Sequence, residues 1–369
     1  MNPEPRTILS LDAGGTNFIF TAIRDFKEVI TPFRRPSYSA DLQKCLAMVM
    51  EGFKEVQSML PEKASAISFA FPGPADYQKG VIGILPNFKA FRGGVPLGPM
   101  LEDEFGIPVY IDNDGDFFAY GEALAGYLPE LNRKLKTAGS HKQFRNLIGL
   151  TLGTGFGGGI VLNDILLEGD SSLGAEVHLT LNAINPEWNA EESVSTRAIQ
   201  RVYAEKAGQA VNSDLMPKDI ADIASGLQKG NKAAAVESFR QFGEGLGNSI
   251  CNVLVLIDGI VVLGGGITAA WDLFSPAMFA AVNKQYKDSH GNLTPRLSIR
   301  VYNLEDESVF KEFAAGGEKE LVVPGSNRKV WYDDSPRSGI GVSKLGASKS
   351  IALGAYAYAI QQLNANIKS

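Results

Sequence analysis

The sequence predicts an α/β protein with two similar halves, and three observations support this. Short apolar strands alternate along the chain with stretches whose apolar residues recur at helical spacing. At two places in the chain, a strand leads through a glycine-rich turn into another strand. These two segments, LSLDAGGTNFIF and LTLGTGFGGGIV, align position for position and lie 141 residues apart. The chain of 369 residues is long enough for two or three domains. We interpret the aligned segments as a weak internal repeat.

Composition argues against several classes of protein. A hydrophobic content of 44% supports a substantial core and excludes wholesale disorder. The 35 basic and 41 acidic residues give a net charge of −6, and lysine and arginine form no dense run, so we expect neither nucleic acid nor a membrane as a partner. The N-terminal residues lack the pattern of a signal peptide, and no apolar run reaches membrane-spanning length. Cys45 and Cys251 lie on the apolar sides of helical patterns, which predicts buried thiols in a reducing cytoplasm.

The first glycine-rich turn, DAGGTN at Asp12–Asn17, connects strands predicted at Ile8–Leu11 and Phe18–Ile23. Glycine allows a phosphate to approach the backbone closely, and the amides of such a turn can face an anion. We therefore predict a phosphate-binding hairpin here. For this segment alone, a plain hairpin turn remains the alternative.

The next elements complete the first half of the chain. Apolar residues between Asp41 and Leu60 follow the spacing of an amphipathic helix. A strand at Ala64–Phe71 ends in a rigid Pro-Gly-Pro loop, and a strand at Gly80–Leu85 precedes the segment Pro86-Asn87-Phe88.

Asp114 is the candidate catalytic residue. A short buried strand at Pro108–Ile111 ends in the polar break Asp112–Gly115, and helical spacing follows from Asp116. This pattern makes Asp114 the predicted N-cap, and a carboxylate at a strand end is well positioned for a general base. The alternative is that Asp114 only caps the helix. A calcium loop is excluded, because its sixth and twelfth positions would be Phe117 and Ala123 instead of glycine and glutamate.

The second half opens with Pro129–Arg145, a polar and basic stretch without periodicity that we interpret as an exposed loop. The strand Leu147–Leu152 then leads into GTGFGGG at Gly153–Gly159 and a strand at Ile160–Leu162. The turn contains GxGxxG, the fingerprint of dinucleotide-binding folds, but in those folds the motif opens a helix, whereas a strand is predicted here. A P-loop is also excluded, because neither glycine turn is followed by the lysine of the Walker motif. A second phosphate hairpin is the better interpretation.

The rest of the chain contains a third glycine turn. Glu176 and His178 lie on Leu173–Thr180, read as strand-like, so that they share a face. The strand Gly259–Leu263 ends in Gly264-Gly265-Gly266, a turn that suits a nucleotide against the backbone but equally a plain tight turn. Leu304–Gly339 reads as an aperiodic insertion. Helices are predicted at residues 195–211, 218–229, 232–256 and 346–363.

In this order, the turns and the strand-end aspartate resemble the ROK family of bacterial sugar kinases and sugar-responsive repressors. The resemblance rests on the stretches LSLDAGGTN, FAFPGPAD, PVYIDNDGDFFAYGEA, GLTLGTGFGGGIV, STRAI and VVLGGG. It implies a two-lobed actin-like ATPase (ribonuclease H-like) fold with a ligand cleft between the lobes. We expect residues 1–125, joined by the C-terminal helix at about 346–369, to form the small lobe. Residues 126–345 would form the large lobe, with insertions at 129–145 and 304–339.

The resemblance also implies which residues bind ATP and its Mg²⁺. Asp12 would lie near the magnesium ion. The backbone around the transferred phosphate would come from Gly14, Gly15 and Thr16. The other phosphates would contact Gly153, Thr154, Gly155 and Gly157, and the adenosine would border Gly264, Gly265 and Gly266.

For the sugar, Asp114 matches the family's base, Asn113 matches a sugar ligand, and Asn87 lies in a stretch that lines the same pocket. Glu191 matches the position of a later sugar-binding glutamate. The usual Gly-Glu-x-Gly-His reads Gly-Ala-Glu-Val-His here, so Glu176 and His178 are two residues apart instead of three. Both are expected sugar ligands, with a packed histidine as the alternative for His178.

The chain departs from the family at the zinc site. Members usually bind a structural zinc through a histidine and a CxCxxxxC run, but Ala183–Glu191 contains no cysteine. We expect no structural zinc. Asp116 replaces the usual asparagine two residues after the base, as an added carboxylate near the pocket mouth.

Taken together, the resemblance implies an ATP-dependent hexose kinase that converts glucose to glucose 6-phosphate and acts as a homodimer. A kinase for another sugar, such as an N-acetylhexosamine or fructose, is one alternative. A non-catalytic sugar-sensing protein is another. The first phosphate-loop strand begins at Thr7, so we expect no DNA-binding module before it.

Overall fold

The computed structural model describes residues 6–85 and 88–365, which form two compact units. The first unit contains the residues up to Gly126, the segment Gly159–Ala175 and the residues from Leu345 onward. The second contains Tyr127–Gly158 and Glu176–Lys344. The segment Gly159–Ala175, which our sequence-based division assigns to the large lobe, thus groups with the first unit.

The elements follow the chain in this order. Up to the candidate base they are β1 (Ile8–Ala13), β2 (Asn17–Arg24), β3 (Lys27–Glu28), β4 (Phe33–Pro36), α1 (Leu42–Ser58), β5 (Ala66–Ala70), β6 (Ala75–Asp76), β7 (Val81–Ile84), β8 (Arg92–Pro96), α2 (Leu97–Phe105), β9 (Val109–Asp112) and α3 (Asp114–Leu124). The remaining elements are α4 (Tyr127–Thr137), β10 (Leu147–Leu152), β11 (Phe156–Leu162), β12 (Ile165–Leu166), α5 (Thr196–Ala207), α6 (Pro217–Ser225), α7 (Lys232–Leu254), β13 (Ile260–Gly264), α8 (Trp271–Val282), β14 (Gln285–Lys287), β15 (Leu293–Pro295), β16 (Arg300–Asn303), α9 (Glu307–Ala315), β17 (Glu318–Val322), β18 (Lys329–Asp333), β19 (Arg337–Val342) and α10 (Ala347–Ala365).

The main sheet of the first unit has the strand order β3-β2-β1-β5-β9, with β4 also paired to β2. The strands β1, β5 and β9 are parallel, whereas β1 and β2 form the predicted hairpin. Helix α1 buries one stripe against the sheet, including Val49 and Phe53 at helical spacing. Phe53 contacts Phe20 edge-on at a ring distance of 5.3 Å and belongs to a largely aromatic core.

In the second unit, β10, β13, β19 and β16 pair in parallel in this order. Helices α7 and α8 pack together, and Phe242 and Phe274 meet between them at 5.5 Å. The boundary between the units falls within β11, whose far end pairs with β12 in the first unit. A strand, and no helix, therefore follows the second glycine turn, as predicted.

The prediction of an exposed loop at 129–145 is wrong over its first part, because α4 spans Tyr127–Thr137. Leu128, Leu131 and Leu135 are buried on one face of this helix. The spacing of these leucines is helical, but the basic and polar residues between them obscure the periodicity in the sequence. Pro129 lies in the first turn, where its missing N–H breaks no hydrogen bond of the helix.

The prediction that residues 304–339 are aperiodic is also wrong, whereas their being an insertion stays a prediction. The segment contains α9, the hairpin β17–β18 and the start of β19, which lies between β13 and β16. The sequence RSGIGV of β19 lacks the usual run of branched residues. The Tyr127 side chain occupies the space beside Gly341, where a Cβ atom would lie 1.9 Å from the tyrosine hydroxyl.

Two expectations from composition can be compared with the described residues. Cys45 and Cys251 are free and buried, as predicted. Over residues 6–85 and 88–365, none of the helices combines the length and the apolar character needed to cross a bilayer.

Candidate active site

The carboxyl ends of the parallel strands in the first unit bring two aspartates to one edge of the sheet. Asp12 on β1 lies opposite Ala70 on β5, which in turn lies opposite Asp112 on β9. Asp114 follows two residues later as the first residue of α3. The β-strand register therefore places Asp12 and Asp114 at the same edge, close enough for the charge of Asp12 to act on Asp114.

The first glycine turn lies beside Asp12 and is held by backbone contacts. The Ser37 hydroxyl donates to the carbonyl of Gly15 at 2.6 Å, and the Ser37 amide donates to the carbonyl of Thr16 at 3.1 Å. A Cβ atom at Gly14 would lie 2.8 Å from the Asn17 carbonyl oxygen, so the turn requires glycine there. Gly15 and Thr16 are exposed to solvent, which leaves this turn accessible to a ligand.

The prediction that Asp114 is the N-cap of α3 is wrong, because the N-cap is Asn113. The Asn113 side chain accepts a hydrogen bond from the Asp116 amide at 2.8 Å and donates one to the Asp116 carboxylate. The interpretation that Asp114 only caps the helix is therefore wrong too. Asp116 is 2% exposed, so it is a buried partner of Asn113 and does not lie at a pocket mouth.

The pKa of Asp114 is raised above its ordinary value of 3.8. Loss of hydration is the main cause: solvent reaches the side chain, but dense protein surrounds it. Hydrogen bonds from the amides of Gly115 and Asp114 itself oppose this, and the charge of Asp12 adds to it. Desolvation also raises the pKa of Asp12, and a hydrogen bond with the Ser348 side chain opposes it. A raised pKa makes Asp114 a stronger base near neutral pH.

At this edge, the buried Asp112 interacts with the partly buried Glu168, a pair that sequence reasoning missed. Asp112 is 4% exposed, and its carboxylate accepts a hydrogen bond from the Asn113 amide at 2.8 Å. Burial raises the pKa of Asp112 to about 7, and the negative charge of Glu168 adds to this. The Tyr358 hydroxyl, on α10, donates to the Glu168 carboxylate. No motif connects these positions, because three separate segments contribute them.

In the second unit, two of the predicted glycine turns meet at the carboxyl edge of the parallel sheet. Thr151, just before the turn at Gly153, lies opposite Gly264 on β13. Gly265 has a φ of +92°, and a Cβ atom there would lie 2.3 Å from the Leu152 carbonyl oxygen. Only glycine allows this close approach of the two strand ends. A Cβ atom at Gly153 would have no neighbour within 4 Å, so one side of the turn is open.

Residues at the start of α5 and just before it form hydrogen bonds to the glycine turn at 153–157. The Thr196 amide and hydroxyl both donate to the Gly153 carbonyl, each at 2.9 Å. The Phe156 amide donates to the Glu191 Oε2 atom at 2.9 Å, and Arg197 donates to Glu191 Oε1 at 2.8 Å. Glu191, expected only as a sugar ligand, thus also contacts the turn. Arg197 and Thr196 were visible in the motif STRAI, but the motif alone assigned them no role.

Glu176 and His178 lie together, though not for the predicted reason. Residues Val177–Leu179 form a short 3₁₀ helix, so the prediction of a strand-like shared face is wrong. His178 Nδ1 instead contacts Glu176 Oε2 at 2.9 Å, and both side chains are about one-third exposed. This helix contacts a second 3₁₀ helix, Ala190–Glu192, which carries Glu191.

The loop between these helices replaces the cysteine run of the family and is organised by Asn182. The Asn182 amide donates to the Asn189 carbonyl at 2.9 Å and to Ser193 Oγ at 2.8 Å, and its oxygen accepts from the amides of residues 184 and 185. The Trp188 ring lies under the guanidinium of Arg201 at 4.4 Å. No group of three or more His, Cys, Asp or Glu residues suited to a metal occurs among residues 6–85 and 88–365. The absence of a structural zinc stays a prediction.

The expected site residues are divided between the two units. The first contains Asp12, Gly14, Gly15, Thr16, Asn113 and Asp114, and the second contains Gly153, Thr154, Gly155, Gly157, Glu176, His178, Glu191, Gly264, Gly265 and Gly266. Asn87 lies outside the described residues. The roles of all these residues stay predictions.

Comparison with known proteins identifies the family. The ROK family model matches residues 8–308. A crystal structure of a glucokinase from Parabacteroides distasonis is 50% identical and has a TM-score of 0.88, and the match covers 97% of this chain and 98% of that one. A glucokinase of Thermotoga maritima is 25% identical over 286 residues, which are 73% of this chain and 85% of that protein.

A relative with a different role also matches. The xylose repressor of Caldicellulosiruptor bescii is 23% identical over 330 residues, which are 84% of this chain and 77% of the repressor. Because the family model spans most of the sequence, the chain belongs to the ROK family and has its actin-like ATPase fold.

Proposed function

We propose that this protein is an ATP-dependent sugar kinase that phosphorylates the 6-hydroxyl group of glucose. The observation that carries the proposal is Asp114, a solvent-accessible carboxylate of raised pKa at a strand edge shared with Asp12. A helix cap would explain an aspartate at this point of the sequence, but Asn113 fills that role. The 50% identity to a glucokinase over 97% of the chain supports glucose as the substrate.

In the proposed reaction, Asp114 accepts the proton of the sugar 6-hydroxyl. The hydroxyl oxygen then forms a bond to the γ-phosphorus while the bond from that phosphorus to the β,γ-bridging oxygen breaks, and ADP leaves. Backbone amides of the glycine turns at Gly14–Thr16 and Gly153–Gly157 stabilise the phosphate charge. Asp114 therefore needs to be ionised at the start of each turnover.

The donor set suits Mg²⁺ bound together with ATP. Mg²⁺ takes one or two carboxylates and fills its other positions with phosphate oxygens and water. Asp12 offers an exposed carboxylate next to the first glycine turn. When bound there, the ion neutralises charge on the phosphates.

We assign the sugar hydroxyls to Asn113, Glu176, His178 and Glu191. Ionised carboxylates accept hydroxyl protons, and a neutral imidazole can accept one bond or donate one. The contact between His178 and Glu176 orients the imidazole. A histidine so close to a carboxylate is better explained as half of a ligand pair than as a packed core residue, since both side chains are partly exposed.

A panel of sugars tests the proposal. ADP release should be measured with glucose, mannose, fructose, N-acetylglucosamine and N-acetylmannosamine, and the product position read by NMR. Asp114→Asn should lower kcat by roughly 10²- to 10⁴-fold with little change in glucose binding. The control is Asp103→Asn, an exposed carboxylate on α2, which should leave kcat unchanged. Near-normal turnover by Asp114→Asn would contradict the role of this residue.

The similarity to a xylose repressor and the altered sugar loop favour one rival, a sugar-sensing protein without catalysis. Saturable sugar binding with no ADP release from any sugar would establish the rival. We also propose a homodimer, from the family alone, which light scattering of the purified protein would measure.

A further inference from the structure

Glu191 presents an electrostatic problem for the proposed kinase. Its carboxylate lies over the second glycine turn: Oε2 accepts from the Phe156 amide, and a Cβ atom at Gly155 would lie only 2.7 Å from the same oxygen. The turn is the proposed site of ATP phosphates, which carry charge of the same sign. Without compensation, the carboxylate would repel the phosphates it adjoins.

The neighbouring arginines supply that compensation. Arg197 Nη2 donates to Glu191 Oε1 at 2.8 Å and to Glu192 Oε1 at 2.7 Å, and its Nε donates to Glu192 at 3.2 Å. Arg201 completes the group through a 3.3 Å bond to the other Glu192 oxygen. Hydrogen bonds with Glu192 and Glu191 raise the pKa of Arg197, so its charge is retained. Two guanidinium groups therefore balance two carboxylates beside the turn.

We propose that Arg197 is a positioning residue that holds Glu191 over the glycine turn and neutralises it, so that hexose binding and nucleotide binding are coupled through one carboxylate. The inference rests on the proposed function, because it takes the hexose and ATP as the two ligands. It adds a residue and a coupling that the proposed function does not require.

The coupling follows from the hydrogen-bonding capacity of Glu191. An ionised carboxylate has about four acceptor sites. The Phe156 amide and Arg197 occupy two, so hydroxyl groups of a sugar can take the others. A sugar that binds Glu191 holds its carboxylate in place, and the carboxylate in turn holds the glycine turn in the conformation that binds the phosphates. In the same way, phosphates bound to the turn orient Glu191 for the sugar. Linkage requires the two effects to be equal.

A double-mutant cycle tests whether Arg197 acts through Glu191. The Kd of glucose is measured by calorimetry with and without Mg²⁺ and AMPPNP, a non-hydrolysable ATP analogue, in the wild type, Arg197→Met, Glu191→Gln and the double variant. The analogue should tighten glucose binding by at least about 5-fold in the wild type, the lower end of typical coupling, and not in Arg197→Met. With Glu191 already changed, Arg197→Met should alter the Kd of glucose by less than about 2-fold.

Two further variants separate positioning from general damage. Arg240→Met is the matched control, because Arg240 also bridges two glutamates and is 48% exposed, compared with 47% for Arg197. It should keep the wild-type coupling. Arg197→Lys should retain part of the coupling, since an ammonium group can neutralise a carboxylate but does not form the planar fork of a guanidinium.

The proposal is overturned if the wild type binds AMPPNP but its glucose binding is unchanged, if Arg197→Met keeps full coupling, or if the effects of the two substitutions multiply in the double variant. Failure of the proposed function gives a different result: wild-type protein that shows no AMPPNP binding by calorimetry, whether or not it binds glucose. Both failures are thus distinguished in the wild type before any variant is compared.

Discussion

Replacing Asn182 with alanine tests whether hydrogen bonds, in place of a metal, hold the loop that carries Glu191. Asn182 is 3% exposed and makes four hydrogen bonds of 2.8–3.1 Å within the loop. The bond donated to Ser193 is buried, and the other three are partly buried, so that water can replace part of what these three contribute. Losing the four bonds should cost about 2–3 kcal/mol of local stability.

Hydrogen exchange of the amides at 182–195 measures this directly. A loss of about 2–3 kcal/mol should speed their exchange roughly 30- to 150-fold and raise the KM for hexose, because Glu191 is no longer fixed. Asn182→Asp keeps the acceptor bonds but places a carboxylate oxygen against the Asn189 carbonyl in a buried site, so it should speed exchange as well. Asn132→Ala, which removes a two-bond link to Phe144 in the same unit, should leave this loop unchanged.

Two outcomes would refute the reasoning about the loop. One is unchanged exchange at 182–195 in Asn182→Ala. The other is faster exchange in the wild type after a chelator wash that added Zn²⁺ reverses, because the loop would then depend on a metal.

Two other predictions concern Asp112 and the sugar ligands. Since burial raises the pKa of Asp112 from 3.8 to about 7, the folded state holds a proton that the unfolded state releases, and this residue makes stability fall as the pH rises from about 4 to about 7. Asp112→Asn removes this pH-dependent loss of stability. The urea midpoint of the variant minus that of the wild type should therefore be larger at pH 8 than at pH 5, and equal differences at the two pH values would contradict the raised pKa of Asp112. Glu176→Gln should raise the KM for glucose about 10- to 100-fold with little change in kcat, because a charged hydrogen-bond partner is removed. An unchanged KM in Glu176→Gln, together with a raised KM in Glu191→Gln, would show that Glu176 does not contact the sugar.

The sequence alone determined the features that depend on local chemistry. The three glycine turns, the hairpin after Asp12 and the strand after Gly153 follow from residue type and short-range pattern, and the structure has each of them. The buried cysteines follow from helical periodicity in the same way. Such features need only the neighbours along the chain, because turn geometry and amphipathic spacing are local.

Tertiary structure decided the features that depend on distant neighbours. Strand β19 was not predicted because its glycines replace the usual branched residues, and the space beside Gly341 is filled by Tyr127, more than two hundred residues earlier. The N-cap of α3 is Asn113 and not the predicted Asp114, because the side chain of Asn113 pairs with the buried carboxylate of Asp116. The link from Arg197 through Glu191 to the glycine turn arises only when two segments about forty residues apart fold together. Contacts of this kind leave no local pattern, because the chain reveals which residues are adjacent in sequence but not which are adjacent in space.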